Sequence, residues 1–115
     1  MHLITNKVGD VLIVSIESDL LNSKDKKTLQ VTLEPLLLSG IKVALDLSRL
    51  KDADVSGFES LVSLYENVKK TGGEIKVFSL KYPSLRSLYE KLCLHKKIET
   101  FNHKEEALSA FARVD

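Results

Sequence analysis

Apolar and polar positions alternate along this chain in two rhythms, and each rhythm predicts a different element. Residues 2–7 read as a strand, and Val8-Gly9-Asp10 reads as a tight turn, because glycine enters positive φ at no steric cost. Val11 to Ile16 is a nearly continuous apolar run, short and β-branched, which predicts a strand buried on both faces. No helix fits between the two, so they form an antiparallel hairpin. Ser23 to Leu38 reads as a helix capped by Asn22 or Ser23, with Leu29, Leu33, Leu36 and Leu37 close to one face. Pro35 lies inside that run and predicts a kink or an early end, and Gly40 suits the αL position beyond it.

Ile41 to Leu47 alternates as a strand, with Ile41, Val43, Leu45 and Leu47 on one side and Lys42, Ala44 and Asp46 on the other. Residues 48–55 read as a polar loop with apolar residues interleaved. A second helix runs from about Gly57 to Lys70 on a stripe of Phe58, Leu61, Val62, Tyr65 and Val68, and Thr71-Gly72-Gly73 stops it. Glu74 to Ser79 is a strand, and Pro83 opens a third helix to about Leu92, with Leu85, Leu88, Tyr89 and Leu92 inward. Ile98 to Phe101 is a short final strand. Asn102 and Glu105 resemble a capping box for a last helix to about Arg113 that buries Ala107, Leu108, Phe111 and, at its end, Ala112. The order β-β-α-β-α-β-α-(β)-α predicts an α/β fold: a mixed sheet, antiparallel in its opening hairpin and parallel afterwards, with helices packed against it.

Composition narrows the function. The chain has 115 residues, the size of one domain, with 43% hydrophobic and 29% charged residues, as in soluble globular proteins. Its formal net charge of +1 argues against nucleic-acid binding, which normally needs a clear cationic excess. No apolar run approaches the ~20 residues of a membrane helix, and no signal-peptide pattern opens the sequence. The lone Cys93 has no disulfide partner in the chain and, between Leu92 and Leu94, reads as a small buried apolar residue. These features predict a cytoplasmic protein. The five glycines form neither GxGxxG nor a phosphate-binding loop, and His2, His95 and His103 lack zinc-ligand spacing. No cofactor, metal or catalytic residue is implied.

The segment Asp54-Val55-Ser56-Gly57-Phe58-Glu59 holds the chemistry of interest. As helix chemistry alone, Ser56 and Glu59 form a Ser-x-x-Glu capping box. The same position suits a phosphoserine, because a helix start offers unpaired N–H groups and partial positive charge. Gly57 would leave the backbone open to a close-approaching partner. Asp46, at a strand end, reads as a cap for the following loop. A phospho-accepting aspartate of a receiver domain is the weaker reading, because the opening hairpin does not fit that fold.

The stretches Val43-Ala44-Leu45-Asp46-Leu47-Ser48, Asp54-Val55-Ser56-Gly57 and Gly72-Gly73-Glu74-Ile75 together resemble the STAS domain family, which includes bacterial anti-sigma factor antagonists. The likeness extends over nearly the whole chain and implies one STAS-like domain over residues 1–115. In that family the serine before the glycine of Asp-Ser-Ser-Gly is phosphorylated, which here falls on Ser56. The resemblance implies that Asp54, Val55, Ser56, Gly57, Phe58 and Glu59 face a protein partner, an anti-sigma factor that is also a serine kinase. A phosphatase would reverse the modification. The domain itself would have no catalytic activity. The chain departs from the family pattern at Val55, where the first serine stands, at Glu59, where a small residue is usual, and at Leu21, where an aspartate is usual. Those departures leave an alternative: an unphosphorylated STAS adaptor subunit of a transporter or a stress-signalling complex.

Overall fold

Gly9 adopts φ +60° and turns β1 (Leu3–Val8) back antiparallel onto β2 (Val11–Ile16). The computed structural model describes residues 2–112. After β2 come β3 (Leu20–Leu21), α1 (Asp25–Leu33), β4 (Lys42–Asp46), β5 (Asp52–Ala53), α2 (Val55–Lys70), β6 (Glu74–Phe78), α3 (Pro83–Lys91), β7 (Glu99–Phe101) and α4 (Lys104–Phe111). The main sheet has the order β1-β2-β4-β6-β7 and is parallel from β2 onward. This is the mixed sheet that the hydrophobic pattern predicts. A second sheet, absent from the sequence reading, pairs β3 with β5 in parallel.

The sheet is covered on both faces. Leu12, Val14, Ile16, Val43, Leu45, Ile75 and Val77 point into the main core, which α1, α2 and α3 close. Phe58 of α2 meets Tyr89 of α3 edge to face at 6.1 Å. On the opposite face Val11, Ile13, Ala44 and Phe78 pack against Ala107 and Phe111 of α4. Ala44 is small and fully buried there, so a helix of small residues can lie close to the sheet. Lys76 is buried on that same face. Its ammonium lies 5.3 Å from the Phe111 ring centre and pairs with Glu99 at 3.1 Å, so the charge stays compensated.

Several local expectations need correction. The first helix is shorter than residues 23–38: it ends at Leu33, and Glu34–Leu36, with Pro35 inside, forms a 3₁₀ turn. The tighter turn rotates Leu36 to the surface, while Leu29 and Leu33 stay buried. Neither Asn22 nor Ser23 caps α1: Lys24 stands at the cap without a side-chain hydrogen bond, and Asn22 instead shapes the turn before it, its Oδ1 accepting from the Lys24 amide at 2.9 Å while Asp25 Oδ2 accepts from the Asn22 amide at 2.8 Å. On α2, Leu64 is buried and Tyr65 only partly so. Cys93 is exposed, not buried, and holds φ +58° where α3 ends. Asn102 does not cap the last helix. Its side chain accepts from Arg86 at 3.4 Å, and His103 stands at the cap without a side-chain hydrogen bond. Of its expected inward residues, Ala107 and Phe111 are buried, Leu108 only partly so, and Ala112 is exposed because the helix already ends at Phe111; Arg113, the expected end of that helix, lies outside the described residues. Asp46 does cap its loop, accepting from the Ser48 amide at 2.9 Å and from Ser15 Oγ at 3.2 Å.

Candidate functional site

The segment singled out in the sequence is delivered by a pinned loop. After β4, Leu47 and Leu50 are fully buried and anchor the chain. The Asp19 carbonyl accepts from the amides of Lys51 and Asp52, each at 2.9 Å, and the Leu21 carbonyl accepts from the Asp54 amide at 3.1 Å. With the β3–β5 pairing, these bonds fix where α2 begins.

The cap of α2 is Asp54. Its backbone is extended, at φ −90° and ψ 171°, and its Oδ1 accepts from the Gly57 amide at 2.6 Å. The expected Ser56–Glu59 capping box is therefore replaced by an Asp54–Gly57 cap. Aspartate and serine are comparable caps, and the pinned loop puts Asp54 in the position the bond requires. Ser56 falls inside the first helical turn, exposed, with its carbonyl accepting from the buried Ser60 hydroxyl at 3.3 Å. Among the described residues no hydrogen bond uses the Ser56 hydroxyl.

Two of the six expected partner-facing residues point inward. Phe58 is fully buried in the main core, because the helical period turns it toward Tyr89. Gly57 is buried, and a Cβ there would run into the Leu21 carbonyl oxygen and carbon. Its open backbone therefore serves the chain's own β3, where a close-approaching partner was expected. Asp54, Val55, Ser56 and Glu59 remain exposed. Val55 is 47% exposed, and Leu20 on β3 is 44% exposed. The accessible part of the site is thus one hydroxyl, two carboxylates and an exposed valine at one helix end. The role of Asp54 was readable from its cap preference, but the serine three positions before a glutamate gave the stronger pattern.

Ser56 lines neither of two surface hollows. One, about 240 Å³, lies between α1 and α2 and is lined by Leu29, Leu33, Ser60 and Leu64 among others. The other, about 140 Å³, lies beside α3 and includes Arg86, Tyr89 and His95. Among the described residues no group of three or more His, Cys, Asp or Glu is placed to hold a metal, and no helix is long and apolar enough to cross a membrane.

This architecture recurs in solved structures. An anti-sigma factor antagonist STAS domain protein from Planctomyces limnophilus superposes with a TM-score of 0.82 at 18% identity, over 94% of this chain and 95% of that one. Unphosphorylated SpoIIAA, an anti-sigma factor antagonist, gives 0.76 at 12% identity, over 99% and 100%; SpoIIAA is a Bacillus cell-fate determinant that also has a phosphorylated form. The murine Slc26a9 anion transporter gives 0.74 at 19% identity, over 94% of this chain but only 19% of the transporter. No curated protein sequence matches the chain. The sequence profile of the STAS domain, in contrast, matches residues 2–107. That match takes in the opening hairpin, the pinned loop and the first half of α4, and with the shared topology it means that the chain belongs to the STAS domain family.

Proposed function

We propose that this domain is a bacterial, cytoplasmic, non-enzymatic regulator of the anti-sigma factor antagonist type, and that Ser56 is its phosphorylation site. It binds an anti-sigma factor that is also a serine kinase, phosphorylation of Ser56 ends the complex, and a phosphatase restores it. The observation that carries this reading is the exposure of Ser56 beside an Asp54 that already supplies the cap. Because the hydroxyl has no part in starting the helix, its modification leaves the fold intact. A phosphate there adds about −1.5 to −2 charges. The helix dipole favours that charge, while the carboxylates of Asp54 and Glu59 on the same exposed surface oppose it. The net effect is a dense negative patch next to Val55, which strips a partner from the apolar contact.

The experiment is a pull-down with Ser56→Ala and Ser56→Asp, with phosphopeptide mass spectrometry of protein from the native host. Recovery with Ser56→Ala and loss with Ser56→Asp is expected, together with a phosphate on Ser56. Equal recovery by both variants and no phosphate under any growth condition would overturn the switch. It would favour a constitutive adaptor of a larger assembly, a reading that Glu59 and the likeness to part of the Slc26a9 transporter support.

A further inference from the structure

We propose that β1 pairs antiparallel with β1 of a second copy of this chain, in the one register that sets Ile4 opposite the partner's Val8. β1 ends the main sheet, so one of its sides has no neighbouring strand among the described residues. Native sheets protect such edges with short strands, proline, bulges or charge. The other edge, β7, is only three residues long, whereas β1 runs for six, pairs with β2 without a bulge, and carries one charge, Lys7. Ile4 and Val8 are 47% and 40% exposed.

The hydrogen-bond phase of the hairpin limits how a second copy can dock. Glu17 N–H donates to the His2 carbonyl at 2.8 Å. Antiparallel pairs alternate between bonded and non-bonded, so Ile4, Asn6 and Val8 direct their backbone groups at β2, and Leu3, Thr5 and Lys7 direct theirs outward. A second β1 must therefore bond through Leu3, Thr5 and Lys7, which leaves three central registers besides the one that sets Ile4 against the partner's Ile4 and leaves Val8 uncovered. One sets Lys7 against the partner's Lys7, which is repulsive. Another sets Ile4 against the partner's Asn6. The third sets Thr5 against the partner's Lys7, Ile4 against the partner's Val8, and Asn6 against the partner's Asn6 on the two-fold axis. Only this register opposes no like charges and covers all four exposed apolar side chains with one another. They lie on the sheet face that α4 packs on, with Val8 opposite the buried Val11 and Ile4 opposite Ser15, so the apolar layer reaches the junction through Val8. The contact is isologous and closes at two copies. With one strand per copy it is small, so dimerisation depends on concentration.

The register gives a specific test. Asn6 falls in a non-bonded pair, where Cα atoms lie ~4.5 Å apart, within disulfide range. In a Cys93→Ser background, Asn6→Cys is expected to form an intermolecular disulfide under mild oxidation, and Thr5→Cys is expected to form at least ~10-fold less. Sedimentation equilibrium of the unmodified chain is expected to show a monomer–dimer equilibrium. Thr5→Pro, which removes an outward N–H and leaves the β1–β2 bonds intact, is expected to abolish the dimer. Should Thr5→Pro not fold, the cysteine pair still decides. A chain monomeric up to ~1 mM, well above the range of specific dimers, overturns the proposal, as do equal cross-linking at positions 5 and 6 or a dimer unchanged by Thr5→Pro.

Discussion

The Asp54 carboxylate holds the Gly57 amide at 2.6 Å and so takes the cap position next to Ser56. The start of the helix is thereby held by a side chain two residues before the proposed phosphorylation site. Asp54→Ala is expected to lower the unfolding free energy by about 1 kcal/mol. Ser56→Ala is expected to change it by less than about 0.5 kcal/mol, as at ordinary surface positions. Urea denaturation of both variants checks this. The opposite ranking would return the cap to Ser56.

Gly57→Ala opposes two effects. Alanine is the better helix former by about 1 kcal/mol, but the added Cβ meets the Leu21 backbone, which cannot swing aside as a side-chain end would. Overpacking of that kind costs about 1–3 kcal/mol. The variant is expected to be the less stable, with a lower urea midpoint. A higher midpoint would mean that β3 yields freely.

Phe58 and Val55 separate core from surface. Phe58→Ala is expected to cost about 3–5 kcal/mol, since the ring is fully buried against Tyr89. Val55→Ala is expected to leave the thermal midpoint nearly unchanged and to weaken partner recovery in a pull-down. Intact binding by Val55→Ala would remove that side chain from the interface.

Tyr89 donates its hydroxyl to the Ile98 carbonyl at 2.6 Å, and burial raises its phenol well above the ordinary value of 10.0. The unfolded chain releases this proton near 10 and the folded chain does not. Stability is therefore full below about pH 10 and declines as pH rises beyond it. Tyr89→Phe is expected to lose about 1 kcal/mol at neutral pH with the hydrogen bond and to flatten that alkaline decline. Chemical denaturation at a series of alkaline pH values reads both effects.

Asp10, in the hairpin turn, bonds Lys42 of β4 at 2.8 Å. The hydrogen bond and then the charge of Lys42 hold Asp10 below its ordinary 3.8, and the same contacts raise Lys42 above 10.5. The contribution of Asp10 is present above pH 3.8 and is lost as pH falls through its lower folded value. That of Lys42 is present below pH 10.5 and is lost as pH rises through its higher folded value. The stability difference between the unmodified chain and Asp10→Asn is expected to be flat across neutral pH and to close only at the acid and alkaline ends. A slope between about pH 5 and 9, where neither group titrates, would place another charge in the pair.

The local pattern alone determined the hairpin, the buried strands and the four helices, because periodicity records which faces are buried and Gly9, Gly40 and Gly72, each at positive φ, mark the turns. It also picked out the helix start at Ser56, since cap residues and glycines cluster there. Tertiary structure decided the rest. Whether Asp54 or Ser56 caps α2 depends on where the Asp19 and Leu21 carbonyls pin the preceding loop, which is a contact across more than 30 residues. The β3–β5 pair is two residues long on each side, too short to show a period. Gly57 looked open and is closed by Leu21, and Cys93 looked buried and is exposed, because both outcomes depend on which distant segment arrives and which does not. A sequence specifies its own turns and faces locally; which of its side chains reach a partner is settled only when the remote segments have taken their places.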